Sequence, residues 1–195
     1  MVDHFSMGCE FFALLAEEDE RIARRIAEAK CPICGGPLHR SDYDRKPRGA
    51  LIAPAGEAFV RRFSLCCGRE GCRRRTLPPS LRFLGQRVYL GAVVILASVL
   101  AQALATVAEI RQMTGIPART TRRWLAWWRG PFISTEVFLA VRARLIGVET
   151  AELPASIVGR LEGSWRERAR TLLELLGPIT AKSVPDRSHI SRDIA

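Results

Sequence analysis

Two groups of cysteines, Cys31-Pro-Ile-Cys34-Gly-Gly36 and Cys66-Cys67-Gly-Arg-Glu-Gly-Cys72, sit in the first half of this 195-residue chain. A structural zinc ion takes four thiolate or imidazole ligands in a tetrahedron, and a Cys-x2-Cys turn aims two sulfurs at one point. Cys31 and Cys34 meet that spacing, and the glycines after them permit the turn. The second group is irregular. Cys67 with Cys72 is the favoured pair, which makes Cys31, Cys34, Cys67 and Cys72 the expected ligands of a structural Zn2+. Cys66 remains an alternative to Cys67, and His39 an alternative to a cysteine. Cys9 reads as a small apolar filler, and His4 and His189 as surface residues. A redox role for Cys31 and Cys34 is disfavoured, because the usual strand-then-helix context is missing. The segment has few large apolar residues, so a metal worth about 10–16 kcal/mol would supply the missing folding energy.

The net charge of +10 points to a polyanionic partner. Residues 40–87 hold twelve basic and four acidic side chains, and residues 109–130 hold five and one. Residues 1–39 are net acidic. The positive excess therefore lies on the cysteine segment and on the stretch around Trp124. Arginine outnumbers lysine 27 to 3. It suits bidentate contacts with phosphate and guanine, although a GC-rich genome accounts for the bias equally well. Arg61, Arg62, Arg69, Arg73, Arg74 and Arg75 flank the second cysteine group and are read as candidates for tracking a phosphate backbone.

Periodicity predicts a mainly α fold, in which a small zinc-ribbon-like module with short strands precedes a helical helix-turn-helix domain. Residues 10–29 read as an amphipathic helix with Phe11, Leu15, Ile22 and Ile26 on one face and the pairs Glu17–Arg21 and Glu20–Arg24 outside. Turns are expected at 35–37 and 46–49, and Pro78-Pro79 forms a stiff connector. The 21 residues 88–108 carry no charge. They are long enough to span a bilayer, yet Ser98, Gln102 and several alanines favour a buried helix at about 88–104. Further helices are expected near 107–114, 118–129 and 135–146. A last one is capped by Ser164 and Glu167, carries a stripe of Trp165, Ala169, Leu172, Leu173 and Leu176, and is stopped by Gly177-Pro178. The division expected is an N-terminal helix at 1–30, the zinc module at 31–80, the helix-turn-helix region at 81–130, C-terminal helices at 131–178 and a flexible tail at 179–195.

Residues 107–125 carry the parts of a helix-turn-helix. Ile110 faces the core, Gly115 permits the turn and Ile116 plugs the angle. On the second helix Thr121, Trp124, Leu125 and Trp128 make one face, and Arg119, Arg122, Arg123 and Ala126 another. Arg119, Thr120 and Arg123 are the candidate base contacts, and Arg122 and Arg129 the candidate phosphate contacts. Arg111, where a small residue is usual, and Pro117, where Ser or Thr usually caps, depart from the pattern. An ordinary helical hairpin with a charged face is the competing reading.

Four stretches carry a resemblance: Cys31-Pro-Ile-Cys-Gly-Gly-Pro-Leu-His39, residues 43–49, Cys66-Cys67 with Gly71-Cys-Arg-Arg-Arg75, and Ser80-Leu-Arg-Phe-Leu-Gly85. With them the chain resembles small bacterial zinc-ribbon plus helix-turn-helix proteins associated with insertion sequences. The resemblance implies recognition of double-stranded mobile-element DNA, as a transposase-like or accessory protein partnered by a catalytic subunit. A nuclease of that kind needs three carboxylates around two metals. The segment after the Trp-rich helix reads as too short and too helical for one, so no catalytic residue, enzyme activity or small-molecule substrate is expected. A homodimer contact through the first helix stands as an alternative to simple packing. Residues 1–6 lack a basic region leading into an apolar stretch, so a cytoplasmic, nucleoid-associated location is expected rather than secretion or a membrane. The competing function is a zinc-ribbon module that binds a protein in a larger complex.

Overall fold

A line of residues four apart, Phe11, Leu15, Asp19 and Ala23, becomes the buried edge of the first helix, α1 (Cys9–Glu28), with Phe12 beside it. The computed structural model describes residues 9–45, 60–84, 89–102, 105–142, 147–180 and 182–183. Ile22 and Ile26 are only partly buried, and they serve different clusters: Ile22 packs on the main core and Ile26 on the cysteines. Arg21 pairs with Glu18, one residue from the expected Glu17, while Glu20 takes both Arg24 and Arg40. Cys9 is exposed at the helix start, so it fills no apolar gap. Lys30, with φ at 64°, turns the chain from α1 into Cys31.

Short antiparallel strands follow: β1 (Leu38–Arg40), β2 (Tyr43–Asp44), β3 (Arg61–Arg62), β4 (Leu65–Cys67) and β5 (Arg75–Leu77). A last strand, β6 (Lys182–Ser183), joins them to give a four-stranded sheet in the order β1-β4-β5-β6, while β2 and β3 pair separately. The expected turn at 46–49, His4, His189 and most of the expected tail lie outside the described residues. Within them, Lys182–Ser183 lies along the edge of β5.

The uncharged segment forms α2 (Gly91–Gln102), with nine of its residues buried, which makes it the central rod of the helical core. Among the described residues no helix is long and apolar enough to cross a membrane. Its polar side chains are used internally. The Ser98 hydroxyl donates to the Val94 carbonyl and accepts from the Trp128 indole at 3.2 Å. The Gln102 amide donates to the Leu153 carbonyl and accepts from the Ala155 amide, pinning the chain before α6 (Ala155–Val158).

Around α2 pack α3 (Val107–Thr114), α4 (Ala118–Arg129), α6 and α7 (Trp165–Thr180), and α5 (Glu136–Arg142) packs against α7. Thr106 and Glu109 form a capping box on α3, and Ser164 and Glu167 form one on α7. The apolar stripe of α7 packs inward as expected, with Ala169, Leu172, Leu173 and Leu176 buried and Trp165 partly buried. Gly177-Pro178 does not stop α7, which continues to Thr180. Pro178 stands in the last turn of the helix, where only its lost amide and a crowded carbonyl weigh against it. Edge-to-face contacts of Phe132 with Trp128 and with Phe138 carry the core from α4 to α5. Each large apolar side chain buried there stabilises the fold by about 1.5–3 kcal/mol.

A buried polar junction ties the sheet, α1, α2 and α7 together. The Asp19 carboxylate accepts from the Ser80 hydroxyl at 2.6 Å, the Leu81 amide at 2.6 Å and the Arg82 guanidinium at 2.9 Å. The side chains of Asp19 and Arg82 are both fully buried. Thr180, at the end of α7, accepts from the Ser80 amide.

Candidate metal centre and arginine surfaces

The first knuckle closes on itself before any metal is considered. The Cys31 amide donates to the Gly36 carbonyl and the Gly35 amide to the Cys31 carbonyl, both at 2.9 Å. Gly35 takes the left-handed conformation that this closure needs, with φ at 67°. Gly36 passes so close to the centre that a Cβ there would lie 3.1 Å from the Cys67 sulfur. The second knuckle leaves β4 at Cys67 and returns at Cys72, and the Arg69 side chain donates to the Cys34 carbonyl, linking the two turns.

These turns bring four sulfurs together. Cys31, Cys34, Cys67 and Cys72 all place Sγ within 4.8 Å of one another. Cys31 and Cys72 are 3.8 Å apart, and Cys34 and Cys67 3.5 Å. Thiolates about 2.3 Å from a central ion stand about 3.8 Å from each other in a tetrahedron. The donor set therefore fits a tetrahedral metal ion. Leu38, Leu65 and the helical residues Ile26 and Ala27 pack beside it.

The choice between Cys66 and Cys67 is made by the pleat. Successive side chains on a strand point to opposite faces, and Leu65 and Cys67 point inward. Cys66 points the other way, where its sulfur bonds the Arg73 carbonyl. His39 pairs with Cys66 across the strands, so it too lies away from the sulfur cluster.

The electrostatics of the thiols reflect crowding. The Gly36 amide, donating to sulfur, lowers the Cys34 thiol to about 7 against the pull of burial, and the neighbouring thiols assist. Cys67 moves the other way, to about 12: the Arg69 amide pulls it down, but burial and the proximity of Cys34, Cys72 and Cys31 outweigh that. Cys72 is also raised, the Arg74 amide being outweighed by burial and Cys34. The thiolate is favoured at Cys34, and Cys67 and Cys72 beside it hold their protons. A bound cation would reverse this by stabilising every thiolate at once.

The expected arginines divide. Arg61, Arg69, Arg73 and Arg75 are exposed, and Arg74 is half-buried. Arg62 is buried, and its guanidinium donates to the carbonyls of Phe63, Pro78 and Thr180. Burial lowers its pKa, with Asp19 opposing. Arg62 is thus a structural bolt between β3 and the end of α7, not a phosphate contact. Its place on the inward side of a two-residue strand gives little sequence signal.

Between α3 and α4 runs a tight turn. Gly115 takes φ 67° and donates to the Arg111 carbonyl, and the Thr114 hydroxyl bonds both the Ile110 carbonyl and the Ile116 amide. Arg111 is exposed, so its size creates no conflict. Pro117 precedes α4 without a side-chain cap. On α4, Thr121, Trp124 and Trp128 are buried, and Leu125 is half-buried. Arg119, Arg122, Arg123 and Arg129 are exposed, and Thr120 is half-buried. None of these four arginines forms an ion pair among the described residues.

Two features had sequence signals that periodicity alone passes over. Asp19 interrupts an apolar stripe at the i, i+4 position between Leu15 and Ala23. Thr106-Val-Ala-Glu109 has the same capping signature as Ser164-Trp-Arg-Glu167. No protein-family model, no curated protein and no solved structure matches this chain, so its functional reading rests on its own residues.

Proposed function

We propose that this chain is a DNA-binding protein in which Cys31, Cys34, Cys67 and Cys72 hold a structural Zn2+ and α4 is the recognition helix of a helix-turn-helix. The observation that carries the reading is the division of α4. One side, with Trp124 and Trp128, is buried against the core, and the other offers Arg119, Arg122, Arg123 and Arg129 to solvent without acidic partners among the described residues. An arginine face of this length suits the phosphates and base edges of a major groove. Arg119, Thr120 and Arg123, in the first half of α4, are the candidate base contacts, and Arg122 and Arg129 the candidate phosphate contacts. Arg73, Arg74 and Arg75 extend the positive surface from the metal module, which reads as zinc-ribbon-like. Zn2+ would act there as a structural link between the two knuckles. Mobile-element DNA and a transposase catalytic partner are the context that the motif resemblance adds.

The test is enrichment of bound duplexes from a random-sequence pool by the zinc-loaded chain at physiological salt. The expected result is a defined motif that Arg119→Ala with Arg123→Ala abolishes. Binding without sequence preference that vanishes steeply with salt would reduce the role to backbone contact. No binding would favour the protein-interaction module.

A further inference from the structure

The sheet has one covered and one open face. Leu38, Leu65 and Cys67 point toward α1 and the metal centre. On the opposite face the register sets His39 beside Cys66 and Cys66 beside Arg75, giving a row that crosses three strands. The row ends at Arg75, where Tyr43 of the separate β2–β3 pair meets it. The Arg75 guanidinium lies 5.8 Å from the centre of the Tyr43 ring and donates to the Ser41 hydroxyl. Tyr43 is one of five large hydrophobic side chains exposed among the described residues, at 37%. The His39 imidazole lies over Gly68, where a Cβ would come within 2.5 Å of it. Arg73, two residues before Arg75, is exposed, whereas the β2–β3 ladder pairs Tyr43 with the buried Arg62 and sets Arg61 and Asp44 on its other side.

We propose that this open face, with Tyr43, Arg75 and His39, binds single-stranded nucleic acid by stacking an unpaired base on Tyr43. A flat aromatic ring braced by the Arg75 guanidinium offers a stacking surface, and Arg75 with the exposed Arg73 matches the charge of a phosphate backbone. Duplex DNA keeps its bases stacked inside the helix and gains nothing from such a ring. The face is therefore complementary to α4: one surface takes paired DNA, the other an unpaired strand. The inference rests on the reading of the cysteine module as nucleic-acid-binding, but not on the role given to α4.

The experiment measures fluorescence anisotropy of two labelled probes, an oligothymidine strand of about a dozen nucleotides and a duplex of similar length, with the zinc-loaded full chain. Tyr43→Ala is expected to weaken strand binding about 5- to 100-fold and to leave the duplex unaffected. Tyr43→Trp should restore the strand affinity. Equal zinc content in all variants certifies the module. The proposal is overturned if the wild-type chain ignores the strand, or if Tyr43→Ala binds it like the wild type. Arg119→Ala with Arg123→Ala separates the two readings. Loss of duplex binding with strand binding intact supports both, whereas unchanged duplex binding removes α4's role and leaves the Tyr43 result standing alone.

Discussion

Asp19→Asn removes the carboxylate that meets the buried guanidinium of Arg82 at 2.9 Å, while nearly preserving shape. Asp19 accepts three hydrogen bonds, from Ser80, Leu81 and Arg82. An asparagine oxygen can still serve the Leu81 amide. Its NH2 group then faces the Arg82 Nε–H, which can only donate, and the Ser80 hydroxyl has to turn its proton elsewhere. Both side chains of the pair are fully buried, so solvent screening does not soften the loss. Breaking a buried pair by removing one partner costs about 3–5 kcal/mol. For a chain of this size that corresponds to a fall in Tm of about 6–20 °C. The assay is urea and thermal unfolding of zinc-loaded protein, with Arg82→Met and the double variant completing a cycle. The double variant should be less destabilised than the two single costs together, because no charge is left stranded. A loss under about 1 kcal/mol in Asp19→Asn, or additive single costs, would refute the view that this pair locks α1 to the chain entering α2.

Two further outcomes follow from the geometry. Cys67→Ser should lose most bound zinc by colorimetric titration after protein digestion, while Cys66→Ser keeps a full equivalent; the reverse would mean that the pleat is out of register. Glu109 and Glu167 are held below the ordinary carboxylate value of 4.5, each first by the backbone amide and then by the hydroxyl of its capping partner, Thr106 or Ser164. A carboxylate depressed in the folded state stabilises it above the unfolded pKa, and that contribution disappears as pH falls through the folded value. Urea midpoints should therefore fall less between pH 6 and pH 3 in Glu109→Gln with Glu167→Gln than in the wild type, zinc loss being common to both; parallel curves would dismiss the caps.

Local rules reached far into this fold. The Cys-x2-Cys spacing with Gly35 announced a knuckle, because a turn's closure depends on residues adjacent in sequence. Gly115 and the Thr121–Trp124–Trp128 spacing placed two short helices and the buried side of the second, because 3.6-residue periodicity is a local property. The Ser164–Glu167 box placed the start of α7 for the same reason, and the equivalent Thr106–Glu109 signature was equally readable. The end of α7 was less so: Pro178 signals a stop only where packing does not carry the last turn onward to Thr180.

What only tertiary structure decided were the matters of facing and partnership. Cys66 and Cys67 are chemically identical neighbours, and the strand register between Leu38 and Cys67 set which sulfur turned inward. Arg62 and Arg75 look alike in a basic segment. One is enclosed by carbonyls that come from as far as Thr180, and the other lies beside Tyr43 on an open sheet. Asp19 belongs to the interior because Arg82, 63 residues away, meets it there. A charged group's solvation depends on which distant atoms surround it, and chain composition does not contain that information.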